Sequence, residues 1–230
     1  MNHVVVRVRH RPPAALVQGL SPFGVATVHE SMGRRGLMKP YMRGIRPGAR
    51  LCGPAVTVLS HPGDNLMMHA AVEQCGPGDV LVVTTTSEST DGMFGELLAT
   101  SLRSRGVAGL VIEAGVRDVA ELNGMDFPVW SRAVSAQGTV KATAGSVNVP
   151  VVVAGAHVRP SDVVVADDDG VVVVPAGELA DVVDAATRRE ALEAQKRAAL
   201  ADGTLGLDLY SLRERLTALG VRYVDEEETR

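Results

Sequence analysis

The feature that most constrains this chain is a series of short apolar, β-branched runs: "LCGPAVTVLS" (51–60), "VLVVTTTS" (80–87), "VAGLVI" (107–112), "VPVVVAG" (149–155) and "DVVVADDDGVVVVP" (162–175). Each has the length and composition of a β-strand, and the last reads as a hairpin turning at Asp-Asp-Gly. Helical patterns stand between the earlier runs. "GDNLMMHAAVEQCGPGD" (63–79) offers Asp64 as a cap and Gly-Pro-Gly as a stop, and "TDGMFGELLATSLRSRG" (90–106) moves from a flexible turn into a helix ending at Gly106. "VRDVAELNGM" (116–125) is a short helix before the strand "FPVWSRAV" (127–134). Alternation of this kind predicts a mixed α/β fold with at least part of the sheet parallel.

Outside that region, "SPFGVATVHESMG" (21–33) reads as a helix with Ser21-Pro22 as its cap and first turn, and "GLMKPYMRGIRPGAR" (36–50) as loop. From Gly177 the pattern turns helical, through "ELADVVDAATRREALEAQKRAALAD" and then "DLYSLRERLTALG". The expected organisation is a core over 1–176, a C-terminal helical arm over 177–224 that packs on a neighbouring subunit, and a frayed acidic tail over 225–230.

Composition removes several function classes. Apolar residues make up 46% of the chain and aromatics only 3%, so a packed core must come from Val, Leu, Ala, Met and Ile. The net charge of −4 argues against nucleic-acid binding, which needs a basic surface, but leaves room for a small anion at a local basic site. Cys52 and Cys75 form neither CxxC nor a zinc spacing and read as reduced core thiols. No window approaches the ~18 apolar residues of a membrane span, and the apolar run near the start is too short for a signal peptide. The expectation is a soluble, cytoplasmic protein with no membrane partner.

GxGxxG, GxxxxGK[ST], GxSxG and HExxH are all missing, so dinucleotide, P-loop, serine-hydrolase and zincin readings lack their scaffolds. None of the three lysines, Lys39, Lys141 and Lys196, stands in an apolar strand that would lower its pKa for Schiff-base chemistry. The six histidines, His29, His61 and His69 among them, show no metal-binding spacing.

Two stretches carry chemistry. In "GELLATSL" a helix beginning near Gly95 leaves the N–H groups of Glu96, Leu97 and Leu98 without intrahelical partners, and the helix dipole adds to their attraction for a carboxylate or phosphate. An ordinary glycine-rich turn before an ordinary helix has the same pattern. In "GVRD", Arg117 and Asp118 follow a strand end, where open α/β sheets bind ligands. Arg117 offers a donor fork for a carboxylate or keto oxygen, and Asp118 a hard oxygen for Mg²⁺. A helix cap beside an exposed arginine is the competing reading. Glu193, with Lys196 and Arg197 three and four residues on, reads by spacing as a solvated helix ion pair.

Eight segments occur in order: "TVHESMGRRGLMKPYMR", "PGDNLMMHAA", "STDGMFGELLATS", "GVRDV", "MDFPVWS", "KATAGSVNVP", "VVADDDGVVVVP" and "LGLDLY". From about Val25 to Tyr223 the chain closely resembles the 4-carboxy-4-hydroxy-2-oxoadipate / 4-hydroxy-4-methyl-2-oxoglutarate aldolases. These are class II pyruvate aldolases that share a fold with the regulator of ribonuclease activity A family, of the swivelling β/β/α type.

The resemblance implies trimers, often paired into hexamers, with active sites between subunits and Mg²⁺ or Mn²⁺ as cofactor. It places the metal on Asp118, the substrate arginine on Arg117 and the carboxylate-holding amides on Gly95, Glu96, Leu97 and Leu98. Glu193, lent by a neighbouring subunit, would reach the metal through water. The implied reaction cleaves 4-carboxy-4-hydroxy-2-oxoadipate to pyruvate and oxaloacetate, or the methyl substrate to two pyruvates, with oxaloacetate decarboxylation as a side activity. The setting is aromatic-acid degradation. The family often has Asp where this chain has Glu96; a backbone role survives that change more readily than a side-chain role. A regulator-like protein-binding module without catalysis is the alternative. A methyltransferase reading lacks a glycine-rich nucleoside site.

Overall fold

The structure, a computed structural model, describes residues 3–7 and 10–224; the tail read at 225–230 lies outside the described residues. The chain divides into two compact units, Met1–Ala186 and Thr187–Arg230.

The first unit opens with two helices, α1 (Ala14–Leu20) and α2 (Val25–Ser31), and a two-residue strand, β1 (Arg43–Gly44). Then come β2 (Leu51–Ser60), α3 (Leu66–Val72), β3 (Val80–Thr85), β4 (Gly92–Phe94), α4 (Glu96–Arg103), β5 (Gly109–Val116), α5 (Val119–Gly124) and β6 (Val129–Val134). Five short strands follow: β7 (Ser146–Val147), β8 (Val151–Val153), β9 (Ala156–Val158), β10 (Val163–Asp167) and β11 (Gly170–Val174). The long α6 (Leu179–Ala201) starts in this unit, and its residues from Thr187 onward belong to the second, with α7 (Gly206–Leu209) and α8 (Leu212–Ala218).

The main sheet runs β1-β6-β5-β3-β2-β10-β11, with β4 paired to β5 and β7 to β2; β8 and β9 form a separate hairpin. The centre, β2-β3-β5-β6, is parallel, and β10 and β11 close one side antiparallel. This is the expected mixed α/β sheet. Its apolar runs are continuous because both faces are covered. Val80 and Val82 face a cluster with Met42, Leu51, Val111, Trp130, Val164 and Val173. Their neighbours Leu81 and Val83 face another with Met68, Phe94, Leu98, Leu102 and Ile112. A third cluster joins Val163, Val165, Val172 and Val174 to Leu20, Val28, Leu179 and Val182.

The sheet curls until its edges nearly meet, giving a barrel-like core. Met38 N–H donates to Val171 O (2.9 Å) and Val173 N–H to Gly36 O (3.0 Å), so the segment before β1 pairs with β11. Trp130, 1% exposed on β6, donates its indole N–H to the Asp167 carbonyl of β10 (2.9 Å).

The helix read from Ser21-Pro22 begins four residues later. Ser21 instead terminates α1, an element the sequence reading did not place. The start of α2 is held from afar: the Val25 N–H donates to Asp167 Oδ2 (2.8 Å), so a tertiary carboxylate supplies what a local cap would have. The turn expected before α4 contains β4, which the neighbouring β5 recruits. Neither cysteine is in a disulfide; Cys75 is buried, and burial pushes the half-buried Cys52 up to about 12.

Trp130→Phe removes the indole donor and with it the hydrogen bond between β6 and the Asp167 carbonyl. The expected loss is about 0.5–1.5 kcal/mol, a fall in Tm of about 1–6 °C in calorimetry; an unchanged Tm would show that this closure contributes nothing.

Candidate functional site

All parallel strands of one orientation deliver their chain at the same end of the sheet, and there the loops converge. The loop after β2 leads to Asn65 and α3. The end of β4 leads through Gly95 into α4. The end of β5 carries Arg117 and Asp118 into α5, and the segment after β6 brings Lys141. Together they line an open cleft of about 420 Å³ with Asn65, His69, Gly92, Met93, Phe94, Gly95, Leu97, Leu98, Arg117, Asp118 and Lys141. Five of the seven residues singled out from sequence, Gly95, Leu97, Leu98, Arg117 and Asp118, are thus brought together.

Asp118 is the pivot. Its backbone is left-handed (φ 57°, ψ 43°), a conformation Asp tolerates better than most residues and which costs about 1–2 kcal/mol. It does not cap its own helix α5 through its side chain. The turn instead aims the carboxylate across at α4, where Oδ2 accepts the Glu96 N–H at 3.0 Å. The Arg117 Nε lies 3.6 Å from the same oxygen. Both side chains are more than a third exposed, so this is a weak, screened pair, and the guanidinium keeps donors for a ligand.

Gly95 makes the approach possible. A Cβ there would sit 2.3 Å from Asp118 Oδ2 and 3.0 Å from Arg117 Cγ, far inside contact distance. Within α4 the Ala99 N–H is taken by the Gly95 carbonyl (3.1 Å). The N–H groups of Glu96, Leu97 and Leu98 precede that ladder, as the sequence suggested. One of them already holds a carboxylate, that of Asp118. The Glu96 side chain does not line the cleft; it lies along α4, where Thr100 Oγ1 donates to its Oε1 at 3.5 Å. Its backbone N–H is the part of Glu96 in contact with Asp118.

Sequence reasoning assigned no role to Asn65, His69 or Lys141. The signal was present: "DNLMMH" puts Asn65 and His69 one turn apart on one helix face, and Lys141 opens "KATAGSVNVP". Burial and the Lys141 charge lower the His69 pKa. Asp64, 1% exposed, holds this wall together. The cap position of α3 falls on Asn65, one residue after the Asp64 read from sequence, but Asp64 Oδ1 still accepts the Leu66 N–H (2.9 Å), and its Oδ2 accepts those of Ala142 (2.8 Å) and Thr143 (2.6 Å). Burial opposes ionisation, but these donors and the Thr143 hydroxyl outweigh it and hold the Asp64 carboxyl below the usual range.

Glu193 is not among the residues lining the cleft. It lies on α6 in the second unit and pairs with Arg189 four residues before it (2.7 Å), not with Lys196 or Arg197; Arg197 pairs with Glu190 (3.1 Å). The i−4 arginine is the better placed partner. Among the described residues no three His, Cys, Asp or Glu side chains gather as a metal cage. The donor set in the cleft is one carboxylate, Asp118, with space around it. That fits a cation such as Mg²⁺ or Mn²⁺, which uses one or two carboxylates and takes its other oxygens from water and ligand; it does not fit a thiolate or imidazole site.

The profile of the RraA-like family, described as Aldolase/RraA, matches residues 25–173. The chain belongs to this family. A Halalkalibacterium halodurans protein with the provisional name 4-hydroxy-4-methyl-2-oxoglutarate aldolase is 30% identical over 161 residues, covering 70% of this chain and 77% of that one. A Burkholderia multivorans protein with the same provisional name is 36% identical over 148 residues, or 63% and 90% of the two chains. The crystal structure of Streptomyces coelicolor RraAS2, described as an unusual member of the RNase ES inhibitor RraA protein family, matches with TM-score 0.74 and 30% identity over 83% of this chain and 99% of that one. The family match spans the strand ends that build the cleft, and among the described residues no helix is long and apolar enough to cross a membrane.

Because the Asp64 pKa is lowered on folding, its contribution is present above the unfolded carboxyl pKa of about 3.9 and is lost as pH falls through the folded value. Asp64→Asn is therefore expected to lower urea-unfolding stability at pH 7, with the gap to wild type shrinking at pH 3. A gap that grows on acidification would contradict this placement of the charge.

Proposed function

We propose that this protein is a divalent-metal-dependent class II aldolase acting on 4-hydroxy-2-oxo acids such as 4-carboxy-4-hydroxy-2-oxoadipate and 4-hydroxy-4-methyl-2-oxoglutarate. The observation that carries this reading is the convergence of Arg117, Asp118 and the free start of α4 on one cleft, with a carboxylate already seated on the Glu96 N–H. The names of the two relatives support the same reaction class.

In this reading the C1 carboxylate of the ligand takes the N–H groups of Leu97 and Leu98 and, once Asp118 turns away, that of Glu96. The Arg117 guanidinium faces the C2 keto oxygen. When the C3–C4 bond breaks, its electron pair passes to that oxygen and the C4 hydroxyl proton passes to water in the open cleft, leaving a carbonyl product. Arg117, held in place before the reaction, stabilises the enolate charge. A proton delivered to C3 then gives pyruvate. Mg²⁺ or Mn²⁺ held by Asp118 would supply Lewis-acid polarisation of the keto acid. Loss of CO₂ from oxaloacetate leads to the same pyruvate enolate, so oxaloacetate decarboxylation is a side activity.

Glu193 enters as a residue offered by a neighbouring subunit of a trimer or hexamer. Exposed Leu192 (50%) and Leu200 (41%) on the same helix support burial of that arm against another copy. A second reading, a protein-binding regulator without catalysis, is favoured by the likeness to RraAS2.

A coupled pyruvate assay separates the two. The aldolase reading expects pyruvate release that chelator abolishes and Mg²⁺ restores. Asp118→Asn, which keeps the left-handed backbone accessible, is expected to lower turnover at least 10²-fold, and retention of full activity would sink the assignment. Arg117→Lys is expected to cost about 10²-fold in kcat, because an ammonium does not reproduce the planar fork; unchanged kcat would make Arg117 structural.

A further inference from the structure

The proposed reaction employs Arg117, Asp118 and the start of α4. It leaves Asn65, His69 and Lys141, which line the same cleft, without a task. Asn65 is nine-tenths buried (9% exposed). Its Nδ2 donates to the Met93 carbonyl at 3.1 Å, and because a carbonyl only accepts, this bond fixes which end of the amide is nitrogen. The other end, Oδ1, is buried with no hydrogen-bond partner among the described residues. An amide oxygen left in that state is unfavourable, and a ligand in the cleft that Asn65 lines can offer the missing donor.

His69 stands one turn along α3 from Asn65, and Lys141 approaches from the segment after β6. Lys141 is near enough for its charge to depress the His69 pKa. Among the described residues neither is paired with a carboxylate, and the one carboxylate lining the cleft, Asp118, is engaged with the Glu96 N–H and Arg117. A lysine ammonium beside an imidazole in one cleft, with no carboxylate of the described residues between them, is an arrangement that suits an anionic ligand.

We propose that Asn65, His69 and Lys141 form a second subsite for the far end of the ligand, with Lys141 and His69 taking a second carboxylate and Asn65 Oδ1 accepting the hydroxyl between the two ends. This rests on the reading of the α4 start as the site of a 2-oxo acid carboxylate. It explains how one cleft selects 4-hydroxy-2-oxo diacids and triacids over pyruvate itself: the near end is common to all of them, and only the longer acids reach the far wall. The subsite is built on the frame that Asp64 creates, since that carboxylate ties the start of α3 to the segment carrying Lys141.

The test is calorimetric titration of the full chain in Mg²⁺ with pyruvate and 2-oxoglutarate, with the KM for 4-hydroxy-2-oxoglutarate taken from initial rates because that acid is cleaved. Wild type is expected to bind all three, with pyruvate weakest. Lys141→Ala is expected to weaken both five-carbon acids at least tenfold and to leave pyruvate within twofold, with Lys141→Arg restoring part of the loss. Asn65→Ala, at an unfolding temperature that still leaves it folded, is expected to erase the preference for the hydroxylated acid over 2-oxoglutarate. Equal effects of Lys141→Ala on pyruvate and on the diacids, or none on either, overturn the subsite while leaving the near-end reading intact. Failure of wild type to bind pyruvate or either diacid overturns both.

Discussion

Close passage of backbone at the ends of two strands is the constraint from which the cleft follows. A Cβ on Gly115 would fall 2.1 Å from the Thr90 carbonyl, one on Gly92 2.3 Å from the Ser135 carbonyl, and one on Gly95 2.3 Å from Asp118 Oδ2. Side chains at these three points would push β4 off β5 and the start of α4 off the Arg117–Asp118 turn. With glycine there, a helix start rich in N–H donors and a carboxylate on an adjacent strand come into hydrogen-bond contact. The left-handed turn at Asp118 completes the arrangement by sending its carboxylate across to α4 and not down its own helix.

That contact gives the site a defined resting state. The helix start attracts an anion, and in the absence of ligand the protein's own carboxylate answers it. In the proposed reaction a ligand carboxylate and a cation at Asp118 would act in the same direction: the cation would draw Asp118 away from the amide, and the ligand would take the amide that is freed. Around this centre the cleft holds more nitrogen cations than carboxylates although the chain as a whole is acidic at −4. Net charge argues against polyanion partners without excluding a small anion, because a local field depends on which few groups the fold gathers.

Much of this was legible in the chain. The strands read from apolar β-branched runs are present, the Asp-Asp-Gly hairpin forms, and the long C-terminal helix spans the residues its pattern marked. "GELL" and "GVRD" were legible because their meaning is local: a glycine before a helix, and polar residues after a strand. What was missed is tertiary. Asp167, far along the chain, starts α2, so Ser21 was credited with a role it does not have. Asn65 and His69 looked like part of an ordinary core helix, and Lys141 like a loop lysine, until the ends of β2 and β6 were brought beside those of β4 and β5. Glu193 has cationic residues on both sides, and spacing alone could not say that Arg189 would win.

The sequence by itself therefore determined the periodicities, the apolar runs that demand a covered sheet, and the glycines that permit backbones to cross. Those are properties of residues and their near neighbours. Only the tertiary structure decided that Arg117 and Asp118 face the start of α4, that Asp64 pins Lys141 beside His69, and that the Asn65 oxygen is left without a donor. These outcomes depend on which strand ends share one edge of the sheet, and that is set by the order β6-β5-β3-β2, in which strands adjacent in space are not always adjacent in the chain.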